Sequence, residues 1–259
     1  MTNAPTPPTY PPARGLLAGK TVLVTAAAGT GIGFATAKRA SEEGARVVVS
    51  DIHERRLAEA VEKLGPDAHS VLANVTDEDD VQRLVAEAAE FGDGRIDVLV
   101  NNAGLGGTAA LTEMTDEQWF SVLDVTLTGT MRMTRAALRH MREHRSGAIV
   151  NNASVVGWRA QEGQSHYAAA KAGVMALTRC AAMEAAAVNV RVNAVAPSLA
   201  MHPFLAKVTT EELLAELETR EAFGRAAEPW EVANVIVFLA SDLASYMTGE
   251  VLSVSSQHP

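Results

Sequence analysis

Residues 20–33 read K-T-V-L-V-T-A-A-A-G-T-G-I-G. Lys20 to Thr25 is a short β-branched run, the composition of a strand buried on both faces. It passes into a turn with glycines at 29, 31 and 33, and the helical pattern F-A-T-A-K-R-A-S-E-E-G follows from Phe34. Strand, glycine-rich turn and helix in that order give the turn a physical meaning. Its glycines let the backbone approach a pyrophosphate, which sits at the positive end of the helix. Thr25, Gly29, Thr30, Gly31, Ile32 and Gly33 are therefore candidate dinucleotide-binding positions.

Working outward, Arg46 to Ser50 (R-V-V-V-S) is a second strand, and Asp51 stands at its end, 22 residues after Gly29. An acid at that offset accepts hydrogen bonds from the adenosine ribose hydroxyls and repels a 2′-phosphate. No Arg or Lys follows it directly, and Arg55 and Arg56 read as exposed charges in the first turns of a helix. The expected cofactor is NAD rather than NADP. A helix (about 54–64), a strand (near 69–73) and a helix (about 77–90) lead to Arg95–Val100 (R-I-D-V-L-V), a fourth strand ending in N-N-A-G at 101–104. This alternation predicts right-handed parallel crossovers and a doubly wound sheet. A long helix over about 116–144, with a break near Gly129, precedes a fifth strand at 147–152; further strands are expected at 190–196 and 251–254.

Composition bounds the possibilities. A chain of 259 residues suits one large α/β domain and is long enough to bury a sizeable core. A net charge of −9 argues against a nucleic-acid or anionic-membrane surface. No 18-residue apolar run is present, so no transmembrane helix is expected, and the N-terminus lacks a signal pattern. The protein is expected to be cytoplasmic. Residues 1–15, rich in proline, read as a flexible polyproline-like tail, leaving 16–259 as the domain. The single cysteine, Cys180, excludes an internal disulfide and reads as a buried bystander among apolar neighbours. No compact His/Cys/Asp cluster suggests a metal.

Residues 154–171 read S-V-V-G-W-R-A-Q-E-G-Q-S-H-Y-A-A-A-K. Tyr167 and Lys171 share one helix face. A phenol with a free pKa of about 10 is a poor base at neutral pH, and a nearby lysine cation is expected to lower it. Ser154 stands where it can hold the oxygen that exchanges a proton with Tyr167. The Y-x-x-x-K spacing alone is common by chance. His166, pointing elsewhere on the helix, is not assigned a catalytic role.

The T-A-A-A-G-T-G-I-G turn, Asp51, N-N-A-G at 101–104, Ser154 thirteen residues before Tyr167, Lys171 four beyond, and the closing F-G-R-A-A-E-P-W-E-V-A…F-L-A-S-D-L-A-S-Y-M-T-G together resemble the short-chain dehydrogenase/reductase family. The resemblance spans roughly Leu17 to Val254. It implies a single-domain Rossmann fold, a doubly wound seven-stranded parallel sheet with helices on both faces. It implies catalysis by Ser154, Tyr167 and Lys171, with Lys171 also on the nicotinamide ribose, and Asn101, Asn102, Ala103 and Gly104 along the cofactor. Asn74 takes the place of an adenine-contacting Asp, beside Val75. Pro197 would border the nicotinamide.

Some positions depart from the pattern. Thr126, in V-T-L-T-G, replaces a catalytic Asn that stabilises a helix kink and holds a water in a proton relay. Ser198 and His202 replace a Gly and a Thr, and His202 would touch the nicotinamide or the substrate. Val156, Trp158, Arg159 and Gln164 would face substrate, with Trp158 flanking an apolar ring and Arg159 meeting an anionic group. Residues 198–224 would form a lid. These departures resemble a subgroup acting on a CoA thioester of a steroid C/D-ring fragment. A 3-oxoacyl-thioester reductase is the enzyme alternative; a nucleotide-sensing or scaffold protein, motivated by Thr126, is the alternative of another class. The family resemblance also implies a homotetramer built through the helices at 116–144 and 165–186.

Overall fold

The computed structural model describes residues 6–201 and 211–257. Seven strands form one all-parallel sheet in the order β3-β2-β1-β4-β5-β6-β7. They are β1 (Thr21–Thr25), β2 (Arg46–Asp51), β3 (Ala68–Leu72), β4 (Val98–Asn101), β5 (Gly147–Asn152), β6 (Val190–Pro197) and β7 (Val251–Val254). The helices among the described residues are α1 (Ile32–Glu42), α2 (Glu54–Leu64), α3 (Glu78–Phe91), α4 (Asp116–Leu123), α5 (Gly129–His144), α6 (Ser165–Ala186), α7 (Glu211–Thr219) and α8 (Pro229–Ala240). This is the doubly wound Rossmann architecture the sequence predicts.

Alternation along the strands explains why both faces are covered. Val22, Val24, Val47, Val49, Val98 and Val100 pack on one face with α1, α2 and α8. Leu23, Val48, Leu99 and Ile149 point to the other, against α3, α5 and α6. Removing a fully buried side chain such as Met141 by substitution to Ala would cost about 2–5 kcal/mol.

Two helix starts show how local sequence fixes the ends. Thr115 and Gln118 form a reciprocal capping box at α4. Pro229 opens α8, where Glu231 reaches back to the Glu228 N–H and is gripped by both terminal nitrogens of Arg225.

The predicted long helix at 116–144 is interrupted: α4 runs into a π-helical turn, Asp124–Thr128, before α5 begins at Gly129. Two sequence-based expectations need correction or addition. Cys180 is exposed on α6 rather than buried, because its apolar sequence neighbours face other sides of the helix. The Pro-rich segment makes definite contacts over Tyr10–Leu16. Arg39 donates to the Pro11 and Pro12 carbonyls, and the buried Glu43 carboxylate accepts the Arg14 and Leu16 N–H groups.

The sheet order reverses between β1 and β4, both reached from the centre, so a crevice opens at their carboxyl ends. Thr25, Asn101 and Asn152 end β1, β4 and β5 there.

Candidate active site

The glycine-rich turn follows β1 directly. Gly31 caps α1 without any side-chain hydrogen bond, so the first N–H groups of the helix have no side-chain partner. A Cβ added at Gly29 would meet nothing nearer than Gly31 N at 4.0 Å, whereas one at Gly33 would collide with Ala26 O and Asn102 Nδ2. Gly29 thus leaves room above the turn, and Gly33 lets α1 close onto the β4 loop. At the end of β2, the Asp51 carboxylate accepts from Ala28 N (3.3 Å) and His53 N (3.2 Å), which fixes it beside the turn. These features fit a dinucleotide: an open helix start for its phosphates and a fixed acid for a ribose. Among the described residues no group of three or more His, Cys, Asp or Glu side chains is placed to hold a metal.

Thr25 and Asn102 act as struts. The Thr25 hydroxyl accepts the Asn102 and Ala103 N–H groups, each at 3.0 Å. Asn102 Nδ2 donates to the Ala26 carbonyl at 3.0 Å, and Asn152 Nδ2 donates to Asn102 Oδ1 at 2.9 Å. Lys171 Nζ donates to the Asn152 carbonyl at 2.5 Å. A polar chain therefore runs from the glycine-rich turn to Lys171. Asn152 Oδ1 is buried without a partner in the protein, an acceptor available to a bound ligand. Asn152 was not singled out from sequence; its place at the end of β5 was the available signal.

α6 carries Tyr167 and Lys171 one turn apart, with Lys171 Nζ 5.5 Å from the Tyr167 ring centroid. Ser154, two residues beyond β5, faces the Tyr167 phenol, and its Oγ accepts the Val156 N–H at 3.3 Å. Burial pushes the Tyr167 phenol above its usual range, while the Ser154 hydrogen bond pulls the other way. Burial lowers Lys171 to about 8. Burial of the site thus opposes the lowering of the Tyr167 pKa expected from Lys171. Desolvation is the largest influence on both groups and favours the neutral form of each.

Thr126 sits in the π-helical turn, fully buried. Its hydroxyl accepts the Leu105 N–H (3.0 Å) and donates to the Leu105 carbonyl (3.2 Å), tying the wide turn to the loop after β4. The Thr130 hydroxyl takes the Thr126 carbonyl at 2.8 Å. Thr126 is thus a brace for the site. A Cβ at Gly104 would stand 3.5 Å from Lys171 Nζ and 3.8 Å from Thr126 Oγ1, so the two groups border the same small space.

The other expected residues are spread around this centre. Val75 is buried beneath Gly129, and Asn74 is exposed, its side chain accepting the Thr76 N–H. Pro197 is buried at the end of β6; Gln164 caps α6 without a side-chain bond. Trp158 is about half exposed, and Arg159 bonds Gln257. His202 and residues 203–210 of the lid expected at 198–224 lie outside the described residues. His166 is buried, and its Nδ1 accepts the Tyr167 N–H at 2.9 Å.

A serine, tyrosine and lysine at the carboxyl ends of a doubly wound parallel sheet, beside a dinucleotide turn, define a nicotinamide-dependent oxidoreductase of hydroxyl and keto groups. A family model described as Enoyl-(Acyl carrier protein) reductase matches residues 26–256, and the chain belongs to the short-chain dehydrogenase/reductase family. It is 61% identical over 250 residues, 95% of each chain, to the Mycobacterium tuberculosis (5R,7aS)-5-hydroxy-7a-methyl-1-oxo-2,3,5,6,7,7a-hexahydro-1H-indene-carboxyl-CoA reductase. It is 42% identical to a 3-oxoacyl-(acyl-carrier-protein) reductase of Thermotoga maritima, covering 92% of this chain and 97% of that one. The crystal structure of a short chain dehydrogenase from Mycobacterium smegmatis superposes with a TM-score of 0.86 at 57% identity, covering 97% and 98% of the two chains.

Proposed function

We propose that the protein is an NAD-dependent dehydrogenase/reductase that interconverts a ring secondary alcohol and its ketone on a CoA thioester of a bicyclic steroid C/D-ring fragment. The observation that carries this reading is the Ser154–Tyr167–Lys171 group in a chain so similar to an indene-carboxyl-CoA reductase. A bound nicotinamide supplies the hydride acceptor for the alcohol or the donor for the ketone. Tyr167 takes the hydroxyl proton in oxidation and returns one in reduction. Ser154 hydrogen-bonds the reacting oxygen. Lys171, fixed by the Asn152 carbonyl, would hold the nicotinamide ribose and, together with the positive charge of the oxidised nicotinamide, favour the Tyr167 phenolate. Such positioned acid–base catalysis contributes about 10²–10⁴-fold.

Asp51 supports NAD over NADP, since its fixed carboxylate would repel a 2′-phosphate. Arg55, the nearest basic side chain in sequence after it, is strongly exposed and lies 3.9 Å from Glu59. A homotetramer is supported by exposed Phe120 on α4 and Met183 on α6, the helices expected to pack between subunits. Cytoplasmic location is part of the same reading; no helix among the described residues is long and apolar enough to cross a membrane.

The second reading, a 3-oxoacyl-thioester reductase, is favoured by the Thermotoga relative. A paired assay with NAD and NADP on a hydroxy-indanone-carboxyl-CoA and on 3-hydroxybutyryl-CoA separates the two. NAD-dependent turnover of the ring thioester is expected. Turnover of the short acyl thioester alone, with NADP, would replace this reading by the second.

A further inference from the structure

Residues 255–257, beyond β7, stay packed against the sheet's edge. Ala222 N donates to the Ser256 carbonyl at 2.6 Å, and Glu221 pairs with Gln257 in an isolated antiparallel bridge. The Glu221 carboxylate is only 4% exposed. It accepts from Leu199 N, Ser256 N, Ser256 Oγ and Gln257 Nε2. Glu221 therefore gathers the segment leaving β6, the segment after α7 and residues 256–257 at one buried point.

From that point the chain of contacts continues to the loop between Ser154 and Tyr167. Gln257 donates to Glu221 through Nε2 (3.1 Å) and accepts from Arg159 Nη1 through Oε1 (2.6 Å). Arg159 is partly buried and, among the described residues, no carboxylate forms an ion pair with it. Its partner is a neutral amide, and the nearest carboxylate in the chain of contacts is reached only through that amide. A guanidinium has five N–H donors in a rigid fork. Holding one leaves the others oriented, with their charge not cancelled, on a loop beside the reacting centre.

We propose that Gln257 is a positioning residue for substrate: it fixes Arg159 so that its guanidinium binds a phosphate of the thioester carrier. The inference rests on the reading that the substrate is a CoA thioester. Glu221 anchors the amide, Gln257 relays the anchor, and Arg159 makes the contact with the anion.

Two variants separate this from a tail fastening alone. Gln257→Ala removes the tether, and Gln257→Glu keeps an oxygen for Arg159 but cancels its charge and gives up the donation to Glu221. Each would be assayed on the ring ketone as its CoA thioester and as its pantetheine thioester, which lacks the phosphates bordering the adenosine. The expected result is that KM for the CoA thioester rises about tenfold in both variants while kcat holds, the loss of one charge-assisted contact. KM for the pantetheine thioester stays at the wild-type value. A Gln257→Glu protein that behaves as wild type, or an equal rise for both thioesters, would overturn the proposal. Calorimetric binding of free CoA gives a reading independent of turnover: the same loss of affinity is expected in both variants, and unchanged affinity would contradict it. Wild-type enzyme that turns over no CoA thioester would defeat the substrate reading, and the CoA-binding comparison would still decide the role of Gln257.

Discussion

Lys171 is held at the site by a main-chain carbonyl: its ammonium donates to Asn152 O at 2.5 Å, and burial lowers its pKa to about 8. The unfolded chain keeps that proton up to the ordinary lysine value of 10.5. Between these values the unfolded state binds more protons, so stability rises with pH. Below pH 8 both states are protonated and the burial cost is carried in full. Tyr167, raised from its ordinary value of 10.0, works in the opposite direction only near and above pH 10. In urea denaturation without cofactor, raising pH from about 7.5 to about 9.5 is expected to stabilise wild type by up to about 2 kcal/mol more than Lys171→Met. Equal pH slopes in the two proteins would contradict this.

Thr126 braces Leu105 in both hydrogen-bonding directions. Thr126→Val keeps the shape and leaves the Leu105 N–H and carbonyl without this partner. The expected cost is about 1–3 kcal/mol, with Thr126→Ser close to wild type. Denaturation midpoints of the three proteins check it, and turnover should fall in the same order.

Ala26, in the turn after β1, is left-handed with φ of 49°. An L-residue there carries strain of about 1–2 kcal/mol that glycine avoids, partly offset by glycine's greater freedom when unfolded. Ala26→Gly is therefore expected to raise the Tm by up to about 2–4 °C. A fall in Tm on a thermal scan would show that the Ala26 methyl makes compensating contacts.

Glu43 fastens the N-terminal segment. Its burial raises the carboxyl pKa, but the Leu16 and Arg14 N–H groups and Arg39 together bring it below the usual value. That stabilisation is present above the ordinary carboxylate range and is lost as pH falls through the lowered pKa. Glu43→Ala would also strand the buried Arg39 guanidinium, at a cost of about 3–5 kcal/mol. Limited proteolysis should then cleave within residues 6–15 sooner than in wild type; an unchanged cleavage rate would count against the clasp.

How far the sequence could be read follows from which forces act locally. Residues 20–33 carry strand, turn and helix in one contiguous piece, and the strands at 46, 98, 147, 190 and 251 follow from their apolar runs. Tyr167 and Lys171 share a helix face by spacing alone. Long-range contacts left no comparable trace: nothing near Arg159 points to Gln257, 98 positions away. The π-helical turn at Asp124–Thr128 depends on Leu105, also distant in sequence. For Tyr167, spacing reveals the neighbouring Lys171 charge but not the desolvation that opposes it. Cys180 was misplaced for a related reason, since its neighbours along the chain are not its neighbours on the helix surface.

Steady-state turnover of a hydroxy-indanone-carboxyl-CoA with NAD, in wild type and Tyr167→Phe, tests the central claim most directly. The account predicts robust oxidation by wild type and a loss of about 10²–10⁴-fold in the variant, with its fold and nucleotide binding retained. A Tyr167→Phe protein that keeps wild-type turnover would contradict the role given to this phenol and the mechanism built on it.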